Sequence, residues 1–197
     1  INLFSSLGDK MNDDFLLMVE EYIDRPDSEE DIPFATKERI GKVIDYMDAR
    51  VMYSGFLTTA VHTPLSGLKV VLDTANGASY ALAPSVFKRL GANVTVINNT
   101  PDGTNINKDA GSTHIKGLVN KVLEVGADVG FAYDGDGDRC IAVDKTGAII
   151  NGDRVMYIWA TLRKGQEKLV TNTVVTTVMS NMGLYKALED EGILYTQ

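Results

Sequence analysis

Apolar residues in the first sixty positions recur at helical spacing. In NDDFLLMVEEYID (12–24), Phe15, Leu16, Val19, Tyr22 and Ile23 share one face, and Arg25-Pro26 ends the run. A second helix is predicted from about Thr36, with Ile40, Val43, Ile44, Met47 and Val51 as its buried stripe. It ends near His62-Thr63-Pro64, where Pro64 and the Ser66-Gly67 pair break the pattern and mark a domain boundary. Beyond that point the period changes. LKVVLD (68–73) is a short β-branched run, followed by TANG, a helix through Phe87 to Leu90 closed by Gly91, and NVTVI (93–97): a strand–helix–strand unit. A turn-rich loop, NNTPDGTNINKDAGST (98–113), leads to a helix from about His114 to Val125. DVGFAY (128–133) then reads as a buried strand, and CIAVD (140–144), Lys145-Thr146-Gly147 and AII (148–150) as a hairpin. Asn151-Gly152-Asp153 caps a helix over about 153–164. LVTNTVV (169–175), a helix over about 180–191 and ILYT open a second strand–helix–strand pattern. The class is α/β.

Composition sets limits without naming a chemistry. Of 197 residues, 44% are hydrophobic and 23% charged, enough apolar material for a real core. No apolar run approaches the roughly 20 residues that span a bilayer, so no membrane partner is expected. The net charge of −8, concentrated in part in DRPDSEED (24–31), argues against nucleic-acid binding, which needs a basic surface. The acidic segment itself reads as a solvated loop. Cys140 is the one cysteine and has no partner for an internal disulfide, which fits a cytoplasmic location. The opening INLFSSLGDK lacks an initiating Met and reads as the interior of a longer chain.

The candidate chemistry lies in AYDGDGDRC (132–140), where Asp134, Asp136 and Asp138 alternate with glycine. A hydrophobic strand delivers Tyr133 to this loop, and ligands of open α/β sheets bind beyond the carboxyl ends of strands. Carboxylates this close repel one another, and a hard divalent cation is the ordinary way to hold them together. On an extended strand alternate residues sit about 6.6 Å apart. Two oxygens on one Mg²⁺ can be separated by no more than about 4.2 Å. The backbone must therefore curl, and Gly135 and Gly137 are expected to permit it.

An EF-hand is excluded: its Gly at position 6 and Glu at position 12 are replaced by Arg139 and Lys145, and a strand precedes the loop where a helix should. A haloacid-dehalogenase-type phosphatase stays open, since it also sets Asp-x-Asp after a hydrophobic strand, with Asp134 as nucleophile. A metal-binding module without catalysis and a plain acidic turn stay open as well. Arg139 offsets the charge of three carboxylates and offers a bidentate contact to phosphate, or is a surface arginine paired to its neighbours.

With DGDGDR the sequence resembles the α-D-phosphohexomutase superfamily. VVLDTANGASY (70–80), PDGTNINKDAGSTH (101–114), FAYDGDGDRCIAVD (131–144), NGDRVMYI (151–158) and NTVVTTVMSNMGLYKALEDEGI (172–193) extend the similarity along nearly the whole chain, and GSTH and TVMSNMG point to the glucosamine branch. The resemblance implies a three-layer mixed-sheet α/β domain with partial domains on either side. Residues 1–62 would end a first domain that carries a phosphoserine. Residues 63–150 would be the second, with the metal loop, and 151–197 would begin a sugar-binding third. It further implies Mg²⁺ on Asp134, Asp136 and Asp138, Arg139 facing phosphate, and a phosphosugar substrate. The implied reaction passes glucosamine 6-phosphate through a 1,6-bisphosphate to the 1-phosphate, a cell-wall precursor. A phosphomannomutase or phosphoglucomutase would share DGDGDR.

The superfamily's serine loop, Thr-Ala-Ser-His-Asn-Pro, is missing. Ser5, Ser6, Ser54, Ser66, Ser79, Ser85, Ser112 and Ser180 lack its setting, and none is assigned as phosphoryl carrier. The chain alone is therefore expected to be inactive. Asp102, Asn105, Asn107 and His114 face the cleft or merely build turns, with Ser112 or Thr113 capping the next helix. Asp73, Asn76 and Gly77 form either a ligand-facing turn or a plain cap for the helix that follows. Ser180 and Asn181 are expected to cap the last helix, and Cys140 to be a small buried residue.

Overall fold

The computed structural model describes residues 3–24, 35–46 and 48–197. The chain divides into two compact units, Ile1–Asp45 and Tyr46–Gln197, each taken here by itself. In the first, α1 (Asp13–Ile23) forms where the period placed it. The Asn12 side chain accepts the Phe15 N–H at 3.0 Å, supplying one of the partners that a helix start lacks. Phe15, Leu16 and Val19 are half-buried, while Tyr22 and Ile23 are exposed. The acidic segment beyond Asp24 lies outside the described residues, as does Met47.

The long helix expected from Thr36 does not form. Lys37–Arg39 make one 3-10 turn, residues 40–46 are irregular, and α2 spans only Asp48–Thr59. Ile40, Val43, Ile44 and Val51 are all exposed, so the spacing is present without a surface to bury it. Helical spacing stabilises little without that burial, and Gly41 weakens the segment further.

The second unit is built on a five-stranded sheet in the order β2-β1-β3-β4-β5. β1 (Lys69–Asp73) pairs in parallel with β2 (Asn93–Ile97) and with β3 (Val129–Tyr133). The direction then reverses: β4 (Cys140–Asp144) runs antiparallel to β3, and β5 (Ile149–Ile150) antiparallel to β4. Alternation on β1 sorts the core into two layers. Val70 and Leu72 pack with Ala83 and Phe87 of α3 (Leu82–Arg89), where Phe87 and Phe131 meet at 5.5 Å between ring centres. Val71, Ala132 and Val143 pack on the other face under Leu118 and Val122 of α4 (Lys116–Val125). Each fully buried Leu or Val contributes about 1.5–3 kcal/mol. The result is the three-layer mixed sheet that the resemblance implied.

Boundaries shift in understandable ways. α4 starts at Lys116 with Ile115 at its cap, so neither Ser112 nor Thr113 caps it; Ser112 is used elsewhere. It ends on Gly126 in the left-handed conformation, φ 58°. α5 (Gly152–Gly165) is capped by Asn151, whose side chain accepts the Arg154 N–H at 3.1 Å. Of the run 169–175 only β6 (Thr173–Val175) is strand, because Thr171 turns left-handed at φ 56° inside a 3-10 turn. α6 (Met182–Asp190) is capped by Asn181, and β7 (Leu194–Thr196) pairs in parallel with β6. Ser180 does not share the cap; its hydroxyl contacts Thr177. Among the described residues no helix is long and apolar enough to cross a membrane.

Candidate metal centre

β3 and β4 are joined by residues 134–139, and Tyr133 faces Cys140 across the ladder. The acidic loop is therefore the turn of a hairpin at the carboxyl end of a central strand. Its frame is set by the first carboxylate. Asp134 is 9% exposed, and its Oδ1 accepts the N–H groups of Gly137 and Arg139, each at 3.1 Å. The Asp134 N–H donates to the Arg139 carbonyl at 3.3 Å, and the Gly137 N–H also reaches the Asp134 carbonyl at 3.2 Å. Gly137 has φ 78°, the left-handed region expected of it. Gly135 is glycine for another reason: a Cβ there would lie 2.6 Å from Asn107 Nδ2 and 2.7 Å from Ile106 Cδ1.

Asp134, Asp136 and Asp138 each present an oxygen within 4.8 Å of the others, and this is the group that could hold a metal ion among the described residues. The all-oxygen donor set suits a hard cation such as Mg²⁺ or Ca²⁺. Mg²⁺ needs two such oxygens no more than about 4.2 Å apart, so any wider pair would have to draw in. Asp136 and Asp138 are exposed and free to do so. Crowding is visible in their acidities. A hydrogen bond to Asp134, and then the charges of Asp134 and Asp136, raise the Asp138 carboxyl above its ordinary range. Burial pushes Asp134 up, yet the Arg139 amide, the Asp138 side chain and the remaining loop amides outweigh it and hold this carboxyl low.

Arg139 Nε stands 3.8 Å from Asp134 Oδ2 and 3.9 Å from Asp138 Oδ1, beyond hydrogen-bond range, with 78% of the side chain exposed. It offsets part of the loop's negative charge, and its guanidinium is largely open to solvent. Cys140, expected to be buried, is exposed. Desolvation of the thiol, with Asp134's charge adding to it, pushes it up to about 11, so it is a poor nucleophile at neutral pH.

Beside the loop lies a cleft of about 380 Å³, lined by Asn76, Tyr80, Pro101, Asn105, Ile106 and Asp136 among others. A second cleft of about 410 Å³, with Asn151, Asp153 and Tyr157, contains no group of the acidic loop. Turn chemistry claims Asp102 and Asn105: Asp102 Oδ1 accepts the Thr104 N–H and hydroxyl, and Asn105 Oδ1 accepts the Asp102 N–H. His114 is exposed, with Nδ1 3.2 Å from the Thr113 hydroxyl. Asn107 instead approaches the acidic loop at Gly135. Asp73 ends β1 wholly buried and accepts the Ala75 and Gly111 N–H groups at 3.0 Å each. Asn76 Oδ1 accepts the Thr100 N–H at 3.1 Å. The sequence reading left Asn107 and Asp73 between ligand contact and turn; Ile106 and Gly111 it did not single out. The one available signal was a charged residue closing the apolar run VVLD.

A three-layer α/β domain that presents a carboxylate loop at a strand end defines a class: α/β/α domains with an acidic group, beside a cleft, that could hold a metal ion. The model described as phosphoglucomutase/phosphomannomutase, alpha/beta/alpha domain II, matches residues 45–147, and domain III of the same family matches 151–197. This chain belongs to the phosphoglucomutase/phosphomannomutase family. It is 48% identical over 195 residues to a phosphoglucosamine mutase of Lachnospira eligens, covering 99% of this chain and 43% of that protein. A phosphoglucosamine mutase of Lachnoclostridium phytofermentans is 46% identical over 197 residues, with 100% and 44% covered. The chain thus spans less than half the length of these relatives. Among solved structures, a phosphoglucomutase/phosphomannomutase family protein from Burkholderia thailandensis superimposes with a TM-score of 0.60 at 27% identity, over 75% of this chain and 32% of that one.

Proposed function

We propose that the intact protein is a phosphoglucosamine mutase, in which Asp134, Asp136 and Asp138 hold Mg²⁺ and glucosamine 6-phosphate and glucosamine 1-phosphate are interconverted. The observation that carries this reading is the convergence of three carboxylate oxygens within 4.8 Å at the end of β3, in a chain 46–48% identical to proteins of that name. Bound there, Mg²⁺ would withdraw charge from a phosphoryl group in transfer. The rest is the work of this chain's own side chains. Asp134, fixed by two amides, sets the frame, and Asp136 and Asp138 complete the charge. Arg139 meets a phosphate from the solvent side. The phosphoserine donor and the 1,6-bisphosphate intermediate rest on the family resemblance, and no serine of this chain is assigned to them. The exposed, unpaired Cys140 supports a reducing, cytoplasmic setting.

The test follows glucosamine 6-phosphate by phosphorus NMR in the full-length protein, with Mg²⁺ and a trace of the 1,6-bisphosphate, beside glucose and mannose 6-phosphates. Conversion to the 1-phosphate, fastest with glucosamine, is the expected result. Preference for mannose or glucose would move the protein to another branch. Release of free phosphate without isomerisation would favour the phosphatase chemistry with Asp134 as nucleophile.

A further inference from the structure

The hydrogen bonds within the acidic loop are not all that shapes it: two other loops grip it on both sides of Asp134, and both lead back to one buried carboxylate. On the first route, Asp73 Oδ2 accepts the Gly111 N–H at 3.0 Å. The next residue, Ser112, donates its N–H to the Tyr133 carbonyl at 2.9 Å, the peptide immediately before Asp134. Gly111 itself sits so close that a Cβ would collide with that carbonyl and with Ala75. On the second route, Asp73 Oδ1 accepts the Ala75 N–H at 3.0 Å. Ala75 is fully buried and left-handed at φ 52°, a conformation that alanine adopts at a cost and keeps only when its surroundings enforce it. The Ala75 carbonyl accepts the Asn107 N–H at 2.9 Å, and the Asn107 side chain closes on Gly135, the residue immediately after Asp134. The same turn continues to Ala78, whose N–H donates to the Gly135 carbonyl at 2.7 Å. At Gly77 any Cβ would strike that carbonyl.

We propose that Asp73 is a positioning residue for the acidic loop: through the 74–78 turn and the 105–112 segment it fixes the peptides on either side of Asp134, and so the spacing at which the three carboxylates meet a cation. This rests on the reading of Asp134, Asp136 and Asp138 as cation ligands. Asp73 touches none of the three through any of these hydrogen bonds. A carboxylate suits the position because both its oxygens face N–H donors. An isosteric amide would turn its NH₂ toward one of them, leaving that N–H buried and unpaired.

The test measures Mn²⁺ affinity from the free-ion EPR signal, with Mg²⁺ in competition, in the full-length protein. Absence of saturable Mn²⁺ binding in the unaltered protein would overturn the ligand reading itself. Given binding there, Asp73→Asn is expected to weaken it about 10- to 100-fold, the range for groups that orient ligands from behind. Gly77→Ala, which keeps Asp73 and must displace the Gly135 carbonyl, is expected to weaken it comparably and decides the matter if Asp73→Asn does not fold. Leu188→Ala, in the core that α6 shares with α5 and β6, serves as the structural control: it is expected to lower the unfolding midpoint and leave affinity unchanged. Unaltered affinity in either folded variant, Asp73→Asn or Gly77→Ala, overturns the proposal.

Discussion

At the scale of single residues, Asp136 offers the cleanest test. It is exposed and accepts none of the hydrogen bonds that fix the loop, so Asp136→Asn changes charge without disturbing the frame around Asp134. In the full-length protein this variant is expected to bind Mg²⁺ at least about tenfold more weakly and to lose most mutase turnover. Calorimetric titration and the phosphorus NMR assay check the two effects, and wild-type turnover would end the metal assignment. Arg139→Ala acts differently: it removes a cation that competes for the same carboxylates. Mg²⁺ affinity is expected to hold or rise while kcat/KM falls about tenfold, the loss of one charged hydrogen bond to phosphate. The three aspartates and Arg139 were legible in the sequence because they are adjacent in it. The grip of Asp73 on Gly111 spans 38 residues, and nothing local to VVLD tells which distant amide will face it. Gly135 was legible as a necessity but for the wrong reason, since its constraint is the Asn107 side chain and not its own dihedral angle.

Among the elements, β1 to β4 and α3 to α6 followed from periodicity, and each has a face that is at least partly buried. The stretch 36–46 had the same spacing but neither a surface to bury it nor freedom from glycine (Gly41), whereas α1 forms with no fully buried residue behind the Asn12 cap; spacing by itself does not decide. Gly130 marks a close contact between helix and strand. A Cβ there would lie 2.6 Å from Val122 Cγ2 and 2.8 Å from Leu118 Cδ1, so α4 rests directly on the strand that feeds the acidic loop. Gly130→Val is expected to cost about 1–3 kcal/mol of stability in urea titration, as overpacking does, and to loosen the loop less than the core. The β4–β5 turn carries a pH signature. The Thr146 hydroxyl first, then the Ala148 and Thr146 amides, hold the Asp144 carboxyl below its ordinary range. A lowered folded-state value means that the turn's contribution is fully present above the usual carboxyl range and is lost as pH falls through the depressed value. Asp144→Ala is expected to flatten the acid limb of a melting-temperature profile and to lower its plateau.

On the scale of the whole molecule, stability and cation binding are linked. A cation that binds the folded chain and not the unfolded one adds about 2.7 kcal/mol at a hundredfold excess over its dissociation constant. Saturating Mg²⁺ is therefore expected to raise the melting temperature by several degrees, and EDTA to reverse it; an unchanged melt would contradict the proposed site. The 197-residue chain by itself is expected to convert no hexose phosphate, because none of its serines sits in a phosphoserine loop. Turnover by the purified chain would refute that.

The hairpin placement of the acidic loop also has a kinetic meaning. All three carboxylates lie within five consecutive residues between paired strands, and such a turn closes in microseconds. The segments that shape it, 73–78 and 105–112, arrive only after long crossovers have closed, which is slower. During folding a crude acidic site is thus expected to exist before an accurate one. Stopped-flow refolding with Mg²⁺ present should show an early weak-binding phase, followed by a slower tightening that tracks the docking of β1 against β3.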